Sequence, residues 1–172
     1  MTQPIYIALG ANLGNPLASF RRAIAQLEGF GVEIIAISGM WQSPAWPAGQ
    51  GHPDYINACA QVEFGGDARA LLAILHGVEA SHGRERTVLH APRSLDLDLL
   101  DFRGEIIRAA DIIIPHPRMM DRGFVLLPLS QIAPKWRNPT TNEEIELAIS
   151  RLSLSDVEPL EYIGQEEFRI SS

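Results

Sequence analysis

The chain is short of several things at once. It has one cysteine, Cys59, which excludes an internal disulfide and leads us to expect a reducing, cytoplasmic setting. No apolar run approaches the ~18–20 residues that span a bilayer, and Met1 to Tyr6 lacks the pattern of a signal peptide. Lysine is almost absent: Lys135 stands alone against thirteen arginines. No glycine-rich stretch ends in Lys-Ser or Lys-Thr, so a P-loop is excluded. Any polyphosphate bound here must be neutralised by guanidinium groups, whose planar forks take phosphate oxygens in pairs. Net positive charge is missing too. At −7 the chain argues against nucleic acid or an anionic membrane as partner.

What is present is an ordinary globular composition, 46% hydrophobic and 20% charged over 172 residues. That length reads as a single domain spanning 1–172, large enough to bury a core unaided. Nothing marks an interface, so we expect a monomer. The charge is unevenly spread. Residues 84–122 carry seven basic and seven acidic groups, whereas 142–172 carry two basic and eight acidic. Most of the acidity therefore lies in a C-terminal extension, and the dense mixture of Arg and Asp lies in the middle.

Periodicity and punctuation give the organisation. Ile5 to Leu9 reads as a buried strand and Gly10 to Gly14 as a turn. Asn15-Pro16 starts a helix with Phe20, Ala23, Ile24 and Leu27 as its apolar stripe. Val32 to Ser38 reads as a second strand. A Pro/Gly-crowded loop follows, and then Tyr55 to Phe64 alternates as a third. Asp67 caps a second helix, Arg84 to Pro92 is a loop, and Ser94 to Leu100 a fourth strand. The order βαββαβ points to an α+β sandwich, an antiparallel sheet with helices on one face. A strand near Ile106–Ile107 and short helices from Arg118 and Asn142 complete it.

Three groups of residues bear on chemistry. In Arg93-Ser94-Leu95-Asp96-Leu97-Asp98-Leu99, a strand places Asp96 and Asp98 on one face, their Cα atoms ~6.5 Å apart. Two such carboxylates suit a hard divalent cation such as Mg²⁺, although a strand with leucine inward and aspartate in solvent has the same pattern. Arg84, Arg86 and Arg93 precede this pair, and His116, Arg118 and Arg122 follow it. Tyr55 and Asn57 share a strand face, and a ring beside an amide suits a flat heterocycle, with Phe124 as a second wall.

Together these segments resemble the 6-hydroxymethyl-7,8-dihydropterin pyrophosphokinase family. The matching stretches are Gly10-Ala11-Asn12-Leu13-Gly14, Ser43-Pro44, Pro53-Asp54-Tyr55-Ile56-Asn57-Ala58, Gly83-Arg84-Glu85-Arg86, Pro92 to Asp98, and Pro115-His116 with Arg122-Gly123-Phe124. The resemblance implies a ferredoxin-like fold and transfer of the terminal pyrophosphoryl group of ATP to the exocyclic hydroxyl of the pterin, releasing AMP. It implies that Asp96 and Asp98 hold two Mg²⁺ ions on the triphosphate. Tyr55 and Phe124 would sandwich the pterin, while Asn57, Gly10, Ser43 and Pro44 read its polar edge. Arg84 and Arg93 would neutralise charge during transfer, and His116 and Arg122 would contact the phosphates. Ile112 and Ile113 would meet adenine, with Leu99 beside it.

The family pattern has Trp-Gly where this chain has His90-Ala91, and Trp46 is the candidate replacement for that ring. Two other readings compete. A non-catalytic ferredoxin-like sensor of nucleotides or small molecules has no need of two metal-ready carboxylates beside Arg93. A Mg²⁺-dependent phosphohydrolase has no need of a heterocycle pocket.

Overall fold

The computed structural model describes residues 3–45, 49–83 and 95–165. Its centre is a mixed α/β arrangement built on an antiparallel sheet. Strand β1 (Ile5–Ala11) leads through helix α1 (Pro16–Gly29) into β2 (Glu33–Ile37) and β3 (Met40–Ser43). Strand β4 (Tyr55–Glu63), helix α2 (Ala68–Ser81) and β5 (Asp96–Phe102) follow. The order across the sheet is β5-β1-β4-β3, and β2 pairs with the far half of β4. β1 is therefore central, with an antiparallel neighbour on each side.

The two long helices start where side-chain caps predict. Asn15 accepts from the Ala18 N–H at 3.1 Å and Asp67 from the Ala70 N–H at 2.8 Å, each satisfying a first-turn donor. The second strand, expected over Val32 to Ser38, ends at Ile37, and after a break at Ser38–Gly39 it is followed by a strand that was not expected, β3. Ser38 uses its hydroxyl to accept from the Cys59 N–H at 2.9 Å, so the break stays tied to β4.

Period-2 alternation sends Ile5, Ile7 and Leu9 of β1, with Leu97 and Leu99 of β5, against Phe20 and Leu27 of α1 and Leu71 and Leu75 of α2. The opposite face is not left to solvent. Tyr6, Cys59 and Leu100 pack there against α3 (Gly123–Ile132), and α4 (Ile145–Ser150) backs α3. Helices on one face only was the expectation, and it is corrected here. α3 is apolar over most of its surface, so it needs two partners and finds them in the sheet and α4.

Strands β6 (Ile107–Arg108) and β7 (Ile113–Ile114) form a separate small hairpin. A 3-10 turn at Met119–Asp121 precedes α3. Beyond α4, a short α5 (Leu154–Val157) leads to β8 (Glu161–Gly164), which adds to the outer edge of β3. No helix among the described residues is long and apolar enough to cross a membrane.

Candidate active site

Cross-strand register assembles the site. Gly10 on β1 lies opposite Asn57 on one side and opposite Asp96 on the other. Directly paired residues share a sheet face, so Asp96, Gly10 and Asn57 form one row, with neighbouring Cα atoms ~4.5–5.5 Å apart. Gly10 contributes no side chain, and the row becomes a trough between a carboxylate and an amide. A Cβ at Gly10 would sit 3.6 Å from Asn57 Oδ1, filling space without a clash.

Asn57 is buried, and its amide is oriented by β3. Its Nδ2 donates to the Ser43 hydroxyl at 2.9 Å and to the Trp41 carbonyl at 3.2 Å. With both amide hydrogens used, Oδ1 is the acceptor turned toward the trough. Tyr55, two residues earlier on β4, shares the Asn57 face. Pro44 follows Ser43 at the end of β3. Asn12 donates to the Pro53 carbonyl at 3.1 Å, pinning the loop that enters β4.

On β5, Asp98 is the next residue on the Asp96 face, opposite Ala8. His116 Nε2 lies 3.9 Å from Asp98 Oδ1, and Arg122 Nη1 lies 3.8 Å from Oδ2. His116 is brought there by its backbone, whose N–H donates to the Leu100 carbonyl at 2.8 Å. Its Nδ1 accepts from the Arg118 N–H at 3.2 Å, which leaves the ring proton on Nε2, facing Asp98. Burial pushes the imidazole below its ordinary value, and Arg122 and Arg118 add to this against the pull of Asp98 and Asp96. Arg122 also stands over the Phe124 ring, 5.5 Å from its centroid. One guanidinium thus links the carboxylate side to the aromatic side.

The other site residues are spread more widely. Leu99 is 3% exposed and faces the α1–α2 core, opposite Asp98. Ile112 is buried in that same core, whereas Ile113 on β7 is half exposed. Arg84, Arg93, Trp46 and His90 lie outside the described residues. Arg69 forms an exposed pair with Asp111 at 2.8 Å. Cys59 is fully buried, and burial raises its thiol far above the reactive range, with Asp98 adding to the effect.

Sequence reasoning missed two positioning groups. The Trp41 carbonyl carries no side-chain signal at all. Glu79 on α2 is a carboxylate only 1% exposed, and it accepts from the Leu97 N–H at 2.8 Å, between the two aspartates. Its only trace was an acidic residue next to the apolar stripe of α2.

Asp96 and Asp98 present oxygen donors on one face, partly open to solvent, in the manner Mg²⁺ requires when water and phosphate oxygens complete its shell. The residues present fit that ion.

A family model described as 7,8-dihydro-6-hydroxymethylpterin-pyrophosphokinase (HPPK) matches residues 6–134. A 2-amino-4-hydroxy-6-hydroxymethyldihydropteridine pyrophosphokinase of Synechocystis sp. is 36% identical over 155 residues, covering 90% of this chain and 78% of the relative. One of Pseudomonas aeruginosa is 35% identical over 141 residues, covering 81% and 86%. Among solved structures, Plasmodium falciparum HPPK-DHPS wild type superposes with a TM-score of 0.67 at 12% identity, covering 88% of this chain and 45% of that one. At that identity the likeness speaks for fold, and this chain spans under half of that larger protein. The sequence match over β1 to α3 carries the assignment: this chain belongs to the HPPK family.

Proposed function

We propose that the trough between Asp96 and Asn57 is where this family member passes a pyrophosphoryl group from ATP to the hydroxymethyl oxygen of 6-hydroxymethyl-7,8-dihydropterin, releasing AMP. The carrying observation is the single row Asp96–Gly10–Asn57, a carboxylate and an amide on either side of a glycine; we assign the carboxylate to the phosphates and the amide to the heterocycle. The activity is that of an ATP-dependent pyrophosphokinase, the enzyme of folate synthesis whose name the relatives bear.

In this reading Asn57 Oδ1 accepts from the pterin edge, and Gly10, Ser43 and Pro44 line it. Tyr55 and Phe124 stack on the ring faces. Asp96 and Asp98 would hold two Mg²⁺ ions, which when bound draw charge from the triphosphate oxygens. His116, kept neutral by burial and by neighbouring arginines, donates its Nε2–H to a phosphate oxygen without adding a charge. Arg122, Arg84 and Arg93 supply the positive charge that a polyphosphate needs in a chain without a P-loop lysine. The backbone near Ile112 and Ile113, with Leu99 behind it, receives adenine. Little covalent help is required, because such transfer depends on alignment and on cancelling charge.

We read the strand order β5-β1-β4-β3, with α1 and α2 on one face, as a ferredoxin-like core carrying α3 and the acidic extension 142–172 as additions to one domain. We take the chain to act as a cytoplasmic monomer. Incubation with ATP, Mg²⁺ and the hydroxymethyl pterin tests the function. AMP formed only when pterin is present supports it; ADP, inorganic phosphate release without pterin, or no turnover defeats it.

A further inference from the structure

The row that carries the site does not end at Asn57. Trp41 on β3 lies opposite Asn57, and Tyr162 on β8 lies opposite Trp41. The full row across five strands is Asp96–Gly10–Asn57–Trp41–Tyr162, and its last member lies beyond the region matched by the family. β3 is only four residues long, and it begins at the break after Ser38–Gly39. A strand this short has few hydrogen bonds of its own to hold its register. Yet its Trp41 carbonyl and Ser43 hydroxyl take both amide hydrogens of Asn57.

Contacts from α3 and from β8 hold the start of β3. From α3, Gln131 Oε1 accepts from the Gly39 N–H at 3.0 Å and from Trp41 Nε1 at 3.3 Å. From β8, the Tyr162 ring lies against Gly39 so closely that a Cβ there would come within 2.9 Å of Cζ. The same ring is 5.3 Å from Trp41, tilted by 56°. Gly39 thus serves as a seat for the ring, and Tyr162 presses the strand from its open edge.

We infer that Tyr162 is a positioning residue for the pterin subsite: it holds β3 in register, and β3 in turn sets the Asn57 amide so that Oδ1 faces the substrate. This rests on reading Asn57 as the group that meets the pterin edge. The phosphate side depends on β5 and on the segment from His116 to Arg122, none of which β8 pairs with.

Steady-state kinetics on the full chain test this. Tyr162→Ala should raise KM for the pterin about fivefold, the effect of misplacing one hydrogen bond. KM for ATP should stay within twofold, and so should kcat at saturating pterin. Tyr162→Phe, which keeps the ring, should restore the pterin KM. Gly39→Ala should reproduce the Tyr162→Ala effect by displacing the ring, and it decides the matter if Tyr162→Ala does not fold. Unchanged pterin KM in Gly39→Ala and Tyr162→Ala would overturn the inference. So would equal rises in both KM values, which would mark a general loss of structure. Asn57→Ala separates the two levels: if it leaves pterin KM unchanged, the reading of the subsite itself fails. If it raises KM while the Tyr162 and Gly39 variants do not, only the positioning role fails.

Discussion

Glu79 reaches from α2 to the edge of the sheet and accepts a hydrogen bond from the backbone N–H of Leu97 at 2.8 Å. Leu97 separates Asp96 from Asp98, and among the described residues β5 is the outermost strand on that side. No further strand among them meets its backbone donor, and Glu79 supplies the acceptor an edge requires. Glu79→Ala should cost about 1–3 kcal/mol of stability through an orphaned buried donor. Glu79→Gln, which keeps a carbonyl oxygen, should cost less. Urea denaturation distinguishes them, and equal losses in the two variants would show that the bond to Leu97 contributes little.

Asp98→Ala should abolish pyrophosphoryl transfer while leaving the fold intact. The side chain opposes the leucine face, is partly solvent-exposed, and has His116 and Arg122 within 3.9 Å. AMP formation and the thermal midpoint are measured together. Lost activity at an unchanged midpoint fits a catalytic carboxylate, whereas a collapsed midpoint would identify a structural strand residue.

Asp101 is the third carboxylate on β5, with a different task. Its Oδ2 accepts from Trp136 Nε1 at 2.7 Å, and its Oδ1 accepts from the Gly104 N–H at 2.8 Å. Burial raises its pKa despite both bonds. The folded chain therefore holds this proton more tightly than the unfolded chain. Between the ordinary carboxylate value and the raised one, stability falls as pH rises, and above the raised value that contribution is gone. Asp101→Asn, which does not titrate and sets an amide against a donor, should destabilise by about 1–3 kcal/mol. The difference from the unaltered chain should be largest at the acid end and shrink as pH rises. Denaturation midpoints of both proteins across the acid range check this, and a constant difference would contradict it.

Gly123 opens α3 at a close approach. A Cβ there would collide with the Asp156 carbonyl and lie 2.9 Å from Leu160 Cδ1. Backbone cannot yield as a flexible side chain can, so Gly123→Ala should destabilise by about 1–3 kcal/mol. Phe124, the next residue, should move with it. Intrinsic fluorescence and the urea midpoint report the change, and a midpoint equal to that of the unaltered chain would show that α5 can shift freely.

What the amino-acid order alone determined was local and periodic. The caps at Asn15 and Asp67, the alternation of Tyr55 to Glu63, and the common face of Asp96 and Asp98 all follow from spacings of two to four residues. The family motifs lie in those same segments. Tertiary structure alone decided the rest. The row from Asp96 through Gly10 and Asn57 to Tyr162 joins residues more than a hundred positions apart, and it exists only because backbone hydrogen bonding selects one register for each strand pair. The second layer of helix had no legible signature either: Ile5 to Leu9 reads as buried, but nothing in the order of residues says that α3 is what covers Tyr6 and Cys59. Glu79 and Trp136 look like ordinary surface and core residues in one dimension. Each found its partner, Leu97 or Asp101, because a buried polar group must be satisfied by whatever the fold brings within reach.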